Sequence, residues 1–303
     1  MKLTISTKKQ AWIHALRLRT LPLALSSIFM GSFIAYQKSG FRWSVLIMAA
    51  ITTTLLQILS NLANDYGDSV NGADHEGRQG PIRAVQSGLI KPAEMKIAVI
   101  IFSILSLLSG LCLLYIALAD IYLFLLFLGI GILAIFAAIA YTSGKRPYGY
   151  AGLGDISVFL FFGCVGVMGT YYLHTLSFEP TLWLPAAAIG LLSTAVLNIN
   201  NIRDIQSDKA AGKLSIPVRI GKKAAENYHW GLIISALVLL LIFVFIEHAY
   251  GALAYLLMAP SILKTGWAVA KFETPEKLDP YLKVMAMSTL FCVLFFGIGW
   301  LIF

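Results

Sequence analysis

Two clusters of acidic and amide side chains, each following a long apolar run, have the residue types and spacing to bind a metal ion. Asn61, Asp65 and Asp68 fall at positions i, i+4 and i+7, which puts them on one face of a helix. Acidic side chains at the edge of hydrocarbon are costly and usually functional. Because the carboxyl end of a helix is already the negative end of its dipole, a positive charge must offset them.

The second cluster repeats this arrangement after another apolar run. Asn200, Asp204 and Asp208 fall at i, i+4 and i+8, again on one predicted helical face. Two such clusters facing each other would offer the oxygen ligands that hard cations take, and Mg²⁺ is the natural candidate. The alternative is that these residues are solvated loop acids at the membrane edge. The predicted metal ligands are Asp65, Asp68, Asp204 and Asp208.

Lysine and arginine residues accompany both clusters in the polar segments between apolar runs. Arginine binds phosphate oxygens with a two-pronged fork, lysine adds a point charge, and a metal ion bridges phosphate oxygens. Carboxylates and cations together therefore predict a diphosphate site. The sequence has no P-loop signature, so nucleotide hydrolysis lacks its usual phosphate cradle. The cations near the clusters are Arg78, Arg83, Lys145, Arg146, Arg203, Lys209, Lys213 and Arg219.

Several candidate site residues have a second, structural interpretation. Asn61, Asn64 and Asn200 suit diphosphate binding, but they equally suit helix ends and interhelical hydrogen bonds. Tyr141 lies one helical turn before a predicted cation and is also typical of an interfacial aromatic belt. Asp155 begins an apolar segment, where an acid suits the helix dipole as well as a substrate contact.

The composition indicates an integral membrane protein. Of 303 residues, 58% are hydrophobic and 13% are charged, against roughly 25% charged in soluble domains. The net charge of +8 is not a nucleic-acid footprint, because most basic residues lie in short loops between apolar runs. Nine apolar segments come close to the roughly 20 residues that cross a bilayer. They cover about residues 20–36, 45–64, 97–118, 121–140, 156–172, 182–199, 230–246, 251–270 and 284–303.

The basic residues also predict the orientation. If the segments alternate from a cytoplasmic N-terminus, only Lys38 and Arg42 of the 23 Lys and Arg residues fall outside, as the positive-inside rule requires. Both acidic clusters then lie on the cytoplasmic side, and the C-terminus lies outside. Arg19, Arg83, Lys145 and Arg146 therefore also fit as topology signals. The mixed stretch 9–19 predicts an interfacial amphipathic helix.

The two clusters further predict an internal repeat within a single domain, residues 1–303. Four predicted crossings separate Asp65 from Asp204, so the two halves, about 1–150 and 151–303, have the same orientation. A pseudo-two-fold axis along the membrane normal would bring the clusters together.

A diphosphate site that opens into hydrocarbon suits a lipid diphosphate, and prenyl diphosphates fit. The tail belongs in the apolar region and the head in the polar site. Metal and cationic side chains would stabilise the departing diphosphate. A water-poor, aromatic pocket would protect the resulting allylic cation.

Four motifs occur together in this chain. Together they make it similar, over nearly its whole length, to the UbiA superfamily of intramembrane aromatic prenyltransferases, whereas each motif alone is a weak signal. The motifs are Arg19-Thr-Leu-Pro22; Asn64-Asp-Tyr-Gly-Asp68 with Gly80-Pro81, Arg83 and Gln86-Ser-Gly88; Tyr141-x-x-x-Lys145 with Gly152-Leu-Gly-Asp155; and Asn200-Asn-Ile-Arg-Asp204-x-x-x-Asp208 with Gly212-Lys213.

The resemblance implies an all-α bundle of nine transmembrane helices around a central cavity, with cytoplasmic cap loops, in a bacterial inner membrane. It implies Mg²⁺ dependence and transfer of the prenyl group of a polyprenyl diphosphate to a ring carbon. Lys145 and Tyr141 would act in catalysis with the acidic clusters, and Arg19 and Arg83 would bind diphosphate or carboxylate.

Two departures from the broader superfamily point to one branch. Gly72 stands where a third acid of the first motif is often found, and the next acid is Asp74. The Gly80-Pro81 run also differs from that of 4-hydroxybenzoate enzymes. Both features favour the branch that prenylates 1,4-dihydroxy-2-naphthoate with loss of the carboxylate, giving demethylmenaquinone. The roles of Asp74 and His75 stay open.

Other functions fit some of these features. Prenylation of 4-hydroxybenzoate or another aromatic acid would use the same machinery. A transporter of an anionic solute would also have repeats and intramembrane charges, but at mid-helix, whereas these charges lie at predicted helix ends. A structural scaffold needs no paired acidic clusters.

Overall fold

The computed structural model describes residues 7–72 and 82–303, and within them every regular element is a helix. Nine helical stretches among the described residues are long and apolar enough to cross a bilayer, which confirms the predicted all-α membrane fold. Asp74, His75 and Arg78 lie outside the described residues. The spans are Lys8–Gln37, Trp43–Val70, Pro92–Ala117, Ile121–Ala140, Gly154–Thr175, Pro180–Arg203, Lys222–Ile246, Tyr250–Lys271 and Pro275–Ile302.

The first span consists of two helices, α1 (Lys8–Leu16) and α2 (Leu21–Gln37). Arg17, with a φ of 47°, turns the chain between them. Helix α1 covers only residues 9–16 of the stretch 9–19 that was predicted to be an amphipathic helix, because the chain turns at Arg17. It buries Ala11 and Ala15 in a cluster with side chains of the second span, and their small size allows the close approach.

The second span, α3 (Trp43–Val70), extends beyond its predicted end and carries Asp65 and Asp68 in its last turns rather than in a loop. Gly67 permits this arrangement. A side chain at Gly67 would meet the hydroxyl of Thr142 at 2.5 Å, so the end of α3 lies directly against the chain that leaves the fourth span. The first acidic cluster is thereby placed inside the bundle.

Two groups of helices form the bundle. Helices α4 (Pro92–Ala117) and α5 (Ile121–Ala140) pack with α3 into one group. Helices α8 (Trp183–Arg203), α11 (Lys222–Ile246) and α13 (Asp279–Ile302) belong to the other. The remaining α-helices are α6 (Gly154–Val158), α7 (Thr170–Thr175), α9 (Ile205–Ala210), α10 (Ile216–Ile220) and α12 (Ala259–Lys271).

The fifth span lies with α2 between these groups. Its middle, Phe159–Gly169, is π-helical between α6 and α7, a rare conformation that is frequent at functional sites. A side chain at Gly163 would meet the carbonyl oxygen of Ala186 at 2.5 Å. The fifth span therefore packs tightly on α8 on one side, which leaves its other side toward α5.

The second acidic cluster departs from the predicted continuous helix. Helix α8 ends at Arg203, and Asp204 has φ −97° and ψ 11° at its C-cap. The prediction that Asn200, Asp204 and Asp208 share one unbroken helical face is therefore wrong. Aspartate and asparagine side chains compete for backbone hydrogen bonds and favour helix ends, so α8 ends just before Asp204. Asp208 belongs to the separate short helix α9.

Candidate active site

A cavity of about 420 Å³ lies between the α3–α5 group and the pair formed by α2 and the fifth span. It joins a charged end to an apolar body, which is the arrangement expected for a lipid diphosphate. The predicted site residues that line its polar end are Arg19, Asn61, Asn64, Asp68, Arg83, Tyr141, Asn200 and Lys213. The body is lined by apolar side chains that include Leu107, Leu111, Leu128, Phe161, Phe162 and Val165.

Asp68 is the acid of the first cluster that lines the cavity. Arg83 forms an ion pair with its Oδ2, and the Tyr150 hydroxyl donates to its Oδ1 at 2.8 Å. Arg83 also donates to the carbonyl of Asn64 at 2.8 Å, so it is fixed against the end of α3. Tyr150 was not among the site residues predicted from the sequence, because a tyrosine in a loop near the membrane is common and carries no specific signal.

Asp65 lies one turn earlier on α3 and does not line the cavity. Only 2% of it is exposed. Its Oδ2 accepts a hydrogen bond from the backbone N–H of Ala84 at 3.2 Å. Its Oδ1 is buried and has no hydrogen-bond partner among residues 7–72 and 82–303. An unsatisfied buried carboxylate oxygen is costly, so it is an acceptor available to a cation.

Asp208 has the same feature in the second cluster. Its Oδ1 lies 3.4 Å from Nζ of Lys213, and its Oδ2 is buried with no hydrogen-bond partner in the described part of the chain. Burial, together with the carboxylates of Asp204 and Asp68, raises the pKa of Asp208 against the opposing effect of Lys213. Lys213 pairs with Asp208 and lines the same cavity as Asp68, so the two clusters lie at one site.

Lys213 is the buried cation at the polar end of the cavity. Its side chain is 8% exposed. Burial disfavours the ammonium form, but Asp208 and Asp68 outweigh it and raise the pKa of Lys213. The backbone N–H of Lys213 donates to the Asp208 carbonyl at 2.8 Å, which fixes the loop. A charged ammonium therefore lines the cavity and pairs with the second acidic cluster.

Arg203 is buried in ion pairs behind the cavity wall and does not line the cavity, although it was predicted to bind substrate. Its Nε and Nη2 donate to the two oxygens of Asp204, at 2.8 and 2.7 Å. Its Nη1 donates to Asp279 at 2.7 Å, and the other oxygen of Asp279 accepts from the cavity-lining Arg19 at 3.2 Å. Arg203 thus fixes Asp204.

Asp279 was not among the site residues predicted from the sequence. This acid begins α13 and is followed by Pro280, a pattern that helix-start preferences explain fully. Its partners, Arg19 and Arg203, lie far away along the chain. No local pattern indicates such contacts.

Tyr141 lines the cavity beside the acids. Its ring meets that of Tyr148 edge-on, with centroids 5.4 Å apart. A side chain at Gly154 would meet the Tyr141 hydroxyl at 2.9 Å, so the glycine makes room for the ring. Burial raises the pKa of Tyr141 to about 12, which keeps the phenol protonated and able to donate a hydrogen bond.

The three predicted asparagines combine the two roles left open by the sequence. Asn61 donates to the carbonyl of Leu16 at 3.0 Å and so joins α3 to α1. Asn200 accepts from Arg203 at 2.7 Å. Asn64 accepts from the Thr142 hydroxyl at 3.3 Å. All three line the cavity, so bonds between segments for Asn61 and Asn64, and a bond within α8 for Asn200, coexist with a position at the cavity.

Three other predicted residues lie away from the cavity lining. Lys145 and Arg146 are exposed. Asp155 is buried at the start of α6, where it accepts a hydrogen bond from the Tyr228 hydroxyl at 3.0 Å. The direct roles of these three residues in catalysis or binding stay predictions.

The described residues fit a divalent cation that binds together with a diphosphate. The acids supply hard oxygen ligands, and two of them, Asp65 and Asp208, have a buried oxygen without a hydrogen-bond partner. In residues 7–72 and 82–303, no three His, Cys, Asp or Glu side chains converge closely enough to hold an ion by themselves. Mg²⁺ is usually held by one or two carboxylates, water and substrate phosphates, so this arrangement suits it.

Replacing Asp279 by Asn should loosen the ion pairs that join Arg19 to Arg203. Because the buried Arg203 then loses an anionic partner, we expect the free energy of unfolding to fall by about 1–3 kcal/mol. We also expect the KM for a diphosphate substrate to rise, because Arg19 loses its support. Thermal unfolding in detergent and steady-state kinetics measure the two effects. The control is Glu273→Gln, which removes an exposed ion pair; equal effects of both variants would contradict the role of Asp279.

Comparison with known proteins extends these findings. Residues 24–290 match the UbiA prenyltransferase family. The chain is 47% identical to the 1,4-dihydroxy-2-naphthoate octaprenyltransferase of Escherichia coli (strain K12), over 97% of this chain and 96% of that one. It is 44% identical to the enzyme of the same name from Haemophilus influenzae, over 99% of both chains.

Two solved structures share the fold. The apo structure of a UbiA homolog from Aeropyrum pernix K1 has a TM-score of 0.68 at 19% identity and covers 93% of this chain and 97% of its own. A UbiA homolog from Archaeoglobus fulgidus bound to DMAPP and Mg²⁺ has a TM-score of 0.54 at 16% identity, covering 94% of this chain and 99% of its own. At such low identities the likeness concerns the fold alone.

Proposed function

Because the chain belongs to the UbiA prenyltransferase family, we propose that it transfers the polyprenyl group of a polyprenyl diphosphate to 1,4-dihydroxy-2-naphthoate. The ring carboxylate is lost, and the product is demethylmenaquinone in its reduced, quinol form. The observation that carries this proposal is a single cavity that joins a polar end, with Asp68 and Lys213, to an apolar body. The names of the bacterial relatives support the choice of aromatic substrate.

The cations at the polar end bind the diphosphate. Lys213 supplies a buried point charge, and Arg19 and Arg83 supply guanidinium groups at the same end of the cavity. Asp279 positions Arg19 through the ion pair described above. These groups stand where negative charge grows as the diphosphate departs, which is where fixed charges accelerate a reaction most.

The acidic clusters hold the metal. Mg²⁺, when bound, neutralises diphosphate oxygens and so assists departure of the leaving group. Arg203 keeps the Asp204 carboxylate in place through two hydrogen bonds. The Archaeoglobus fulgidus homolog, which binds Mg²⁺ with DMAPP, supports this choice of ion. The proposed ligands are Asp65, Asp68, Asp204 and Asp208.

The reaction breaks the allylic C–O bond, and its electron pair leaves with the diphosphate. The apolar body of the cavity, with Phe161 and Phe162 in its wall, excludes water from the allylic cation. A ring carbon of the naphthoate supplies the electron pair of the new C–C bond, and carboxylate loss restores the aromatic ring. Tyr141, protonated and facing the cavity, offers a hydrogen bond to a substrate oxygen.

We also propose the placement of the protein in a bacterial cytoplasmic (inner) membrane. The N-terminus and the acidic clusters face the cytoplasm, because nearly all lysine and arginine residues then lie on that side. The halves 1–150 and 151–303 form two pseudo-repeats of one domain, each of which contributes one acidic cluster.

Removal of the metal should abolish prenyl transfer by the purified protein. With polyprenyl diphosphate, 1,4-dihydroxy-2-naphthoate and Mg²⁺, we expect a prenylated naphthoquinol and carbon dioxide in equal amounts. EDTA should stop both, and Mg²⁺ added in excess should restore both. Mass spectrometry of the lipid product and trapping of labelled carbon dioxide measure them. Prenylation of 4-hydroxybenzoate instead of the naphthoate would contradict the proposed aromatic substrate.

A further inference from the structure

The outward face of the eighth span carries a lysine inside the membrane-spanning segment. Lys264 lies in α12 seven residues before the last residue of that helix, Lys271, and both lysines are exposed. Trp267 between them is also exposed, and positions i, i+3 and i+7 share one face of a helix. At 1.5 Å per residue, Lys264 lies about 10 Å inside the end of α12. These three side chains do not line the cavity, so they face out of the bundle.

Two tryptophans beside this face mark the level of the membrane interface. Trp230 of α11 and Trp267 of α12 meet edge-on, with ring centroids 5.6 Å apart. A side chain at Gly266 would meet the Trp230 ring at 2.8 Å, so the glycine makes room for that ring against α12. Tryptophan is enriched where hydrocarbon meets the polar headgroups. Lys264 lies three residues, about 4.5 Å, farther from the helix end than Trp267, so its backbone is on the hydrocarbon side of this level.

Aromatic rings hold two further ammonium groups at the corner between α11 and α12. Nζ of Lys271 lies 5.0 Å from the centroid of the Trp267 ring. Nζ of Lys222, the first residue of α11, lies 3.8 Å from the centroid of the Phe272 ring. Ring faces attract cations but carry no net charge. The lysines are therefore positioned without being neutralised.

The acids near this corner are already paired with other lysines. Glu226 pairs with Lys223 at 3.2 Å, and Glu273 pairs with Lys277. Among residues 7–72 and 82–303, no carboxylate forms an ion pair with the three lysines of the corner, Lys222, Lys264 and Lys271. Positive charge at the edge of hydrocarbon is costly without a partner, so the corner suits an anion from outside the chain.

Apolar surface continues from this corner toward the middle of the membrane. Leu257 is exposed two turns beyond Lys264 in the same span, and Ile234 is exposed one turn beyond Trp230 on α11. A ligand that fits needs a negative group at the level of the lysines and apolar chains beyond it. Anionic phospholipids have both, and clustered lysines at the membrane surface attract them. Inorganic phosphate would match the charge alone.

We propose that the corner between α11 and α12 binds an anionic phospholipid, with its phosphate among Lys222, Lys264 and Lys271 and its acyl chains along the apolar surface. Helix α13, which follows, begins at Asp279, and Asp279 pairs with Arg203. The corner therefore lies at the end of the bundle that carries the acidic clusters. The inference goes beyond the proposed function and takes from it only that this end faces the cytoplasm, so the lipid belongs to the cytoplasmic leaflet.

A matched pair of double variants tests the lipid site. Lys264→Gln with Lys271→Gln removes two charges from the corner, whereas Lys9→Gln with Lys96→Gln removes two charges from exposed positions on α1 and α4. Native mass spectrometry of each purified protein, titrated with phosphatidylglycerol or with phosphatidylcholine, gives the ratio of the two affinities. We expect the unaltered protein to prefer phosphatidylglycerol. The corner variant should lower this preference by about tenfold, and the control variant should leave it unchanged.

The other outcomes each decide one point. Equal affinities of the unaltered protein for the two lipids, or equal falls in preference in the two double variants, overturn the lipid site but not the proposed function. Displacement of phosphatidylglycerol by inorganic phosphate shows a plain phosphate site and also overturns the proposal. Prenyl transfer in detergent without phospholipid should be unchanged in the corner variant, and its loss in a folded protein would contradict a site separate from the cavity.

Tryptophan fluorescence gives a second readout that removes no charge. Phosphatidylglycerol with brominated acyl chains should quench the emission of the unaltered protein more than brominated phosphatidylcholine does, and Trp267→Phe should remove most of that difference. The control is Trp183→Phe, which removes an exposed tryptophan at the other end of the bundle. No difference in the unaltered protein, or the same difference in Trp267→Phe, would contradict the site.

Discussion

The Asp65→Asn and Asp208→Asn variants should each lose prenyl transfer by about 10²–10³-fold, while the protein stays folded. Each acid has one buried carboxylate oxygen without a hydrogen-bond partner, and each substitution removes the charge that would bind a cation there. Asparagine keeps the size of the side chain and one carbonyl oxygen, so Asp65→Asn can still accept the bond from Ala84. Single-turnover rates with saturating Mg²⁺ measure the loss.

The fold should survive for a physical reason. One buried carboxylate oxygen of Asp65 has no hydrogen-bond partner among the described residues, so Asp65→Asn should leave the thermal midpoint of the metal-free protein unchanged or raise it. Asp208 pairs with the buried Lys213, so Asp208→Asn should lower the midpoint without unfolding the protein. The control is Glu276→Gln, which removes an exposed acid between α12 and α13 and should change neither rate nor midpoint. Full activity of either asparagine variant would contradict its role as a metal ligand.

Lys213→Met should lower kcat/KM for the prenyl diphosphate by about 10²–10³-fold, whereas Lys145→Met should leave it nearly unchanged. Lys213 is buried, lines the cavity and is influenced by both acidic clusters. Lys145 is exposed and does not line the cavity. Both substitutions remove the same charge and keep a similar chain length, so they are matched.

The two lysine variants test which lysine acts on the substrate, because the sequence and the structure predict different residues. The sequence motif favours Lys145 as a catalytic cation, and the geometry favours Lys213. Steady-state kinetics of both variants, with far-ultraviolet circular dichroism to verify folding, decide between them. A large loss in Lys145→Met with little loss in Lys213→Met would show that the loop around Lys145 reaches the substrate.

The fold was predictable because its main determinant is local. An apolar stretch of about 20 residues must form a helix to satisfy its backbone in hydrocarbon. The nine predicted segments therefore correspond to nine spans among the described residues. Their ends were less certain. The end of α3 depends on the contact between Gly67 and Thr142, which joins segments far apart in sequence.

The acidic clusters were predictable for a different reason. Acids at the end of an apolar run are costly enough to indicate function, and helical spacing groups them on a face. The position of each acid relative to the cavity was not predictable from the sequence. Asp68 lines the cavity, Asp65 lies behind it, and Asp204 is fixed by Arg203, because side-chain direction and distant partners decide these positions.

Tyr150 and Asp279 show what local patterns leave out. Tyr150 donates to Asp68, and Asp279 joins Arg19 to Arg203. Each contact joins segments that only the tertiary fold brings together.

The most direct test of the central claim is the phosphorus hyperfine coupling of Mn²⁺, used in place of Mg²⁺, in the purified protein with an unreactive thiolo-diphosphate analogue of the prenyl substrate. We predict that Mn²⁺ bound to the unaltered protein shows phosphorus coupling when the analogue is present and none when it is absent. The double variant Asp65→Asn with Asp208→Asn should lose both binding and coupling. The same Mn²⁺ affinity and coupling in the double variant would contradict the account.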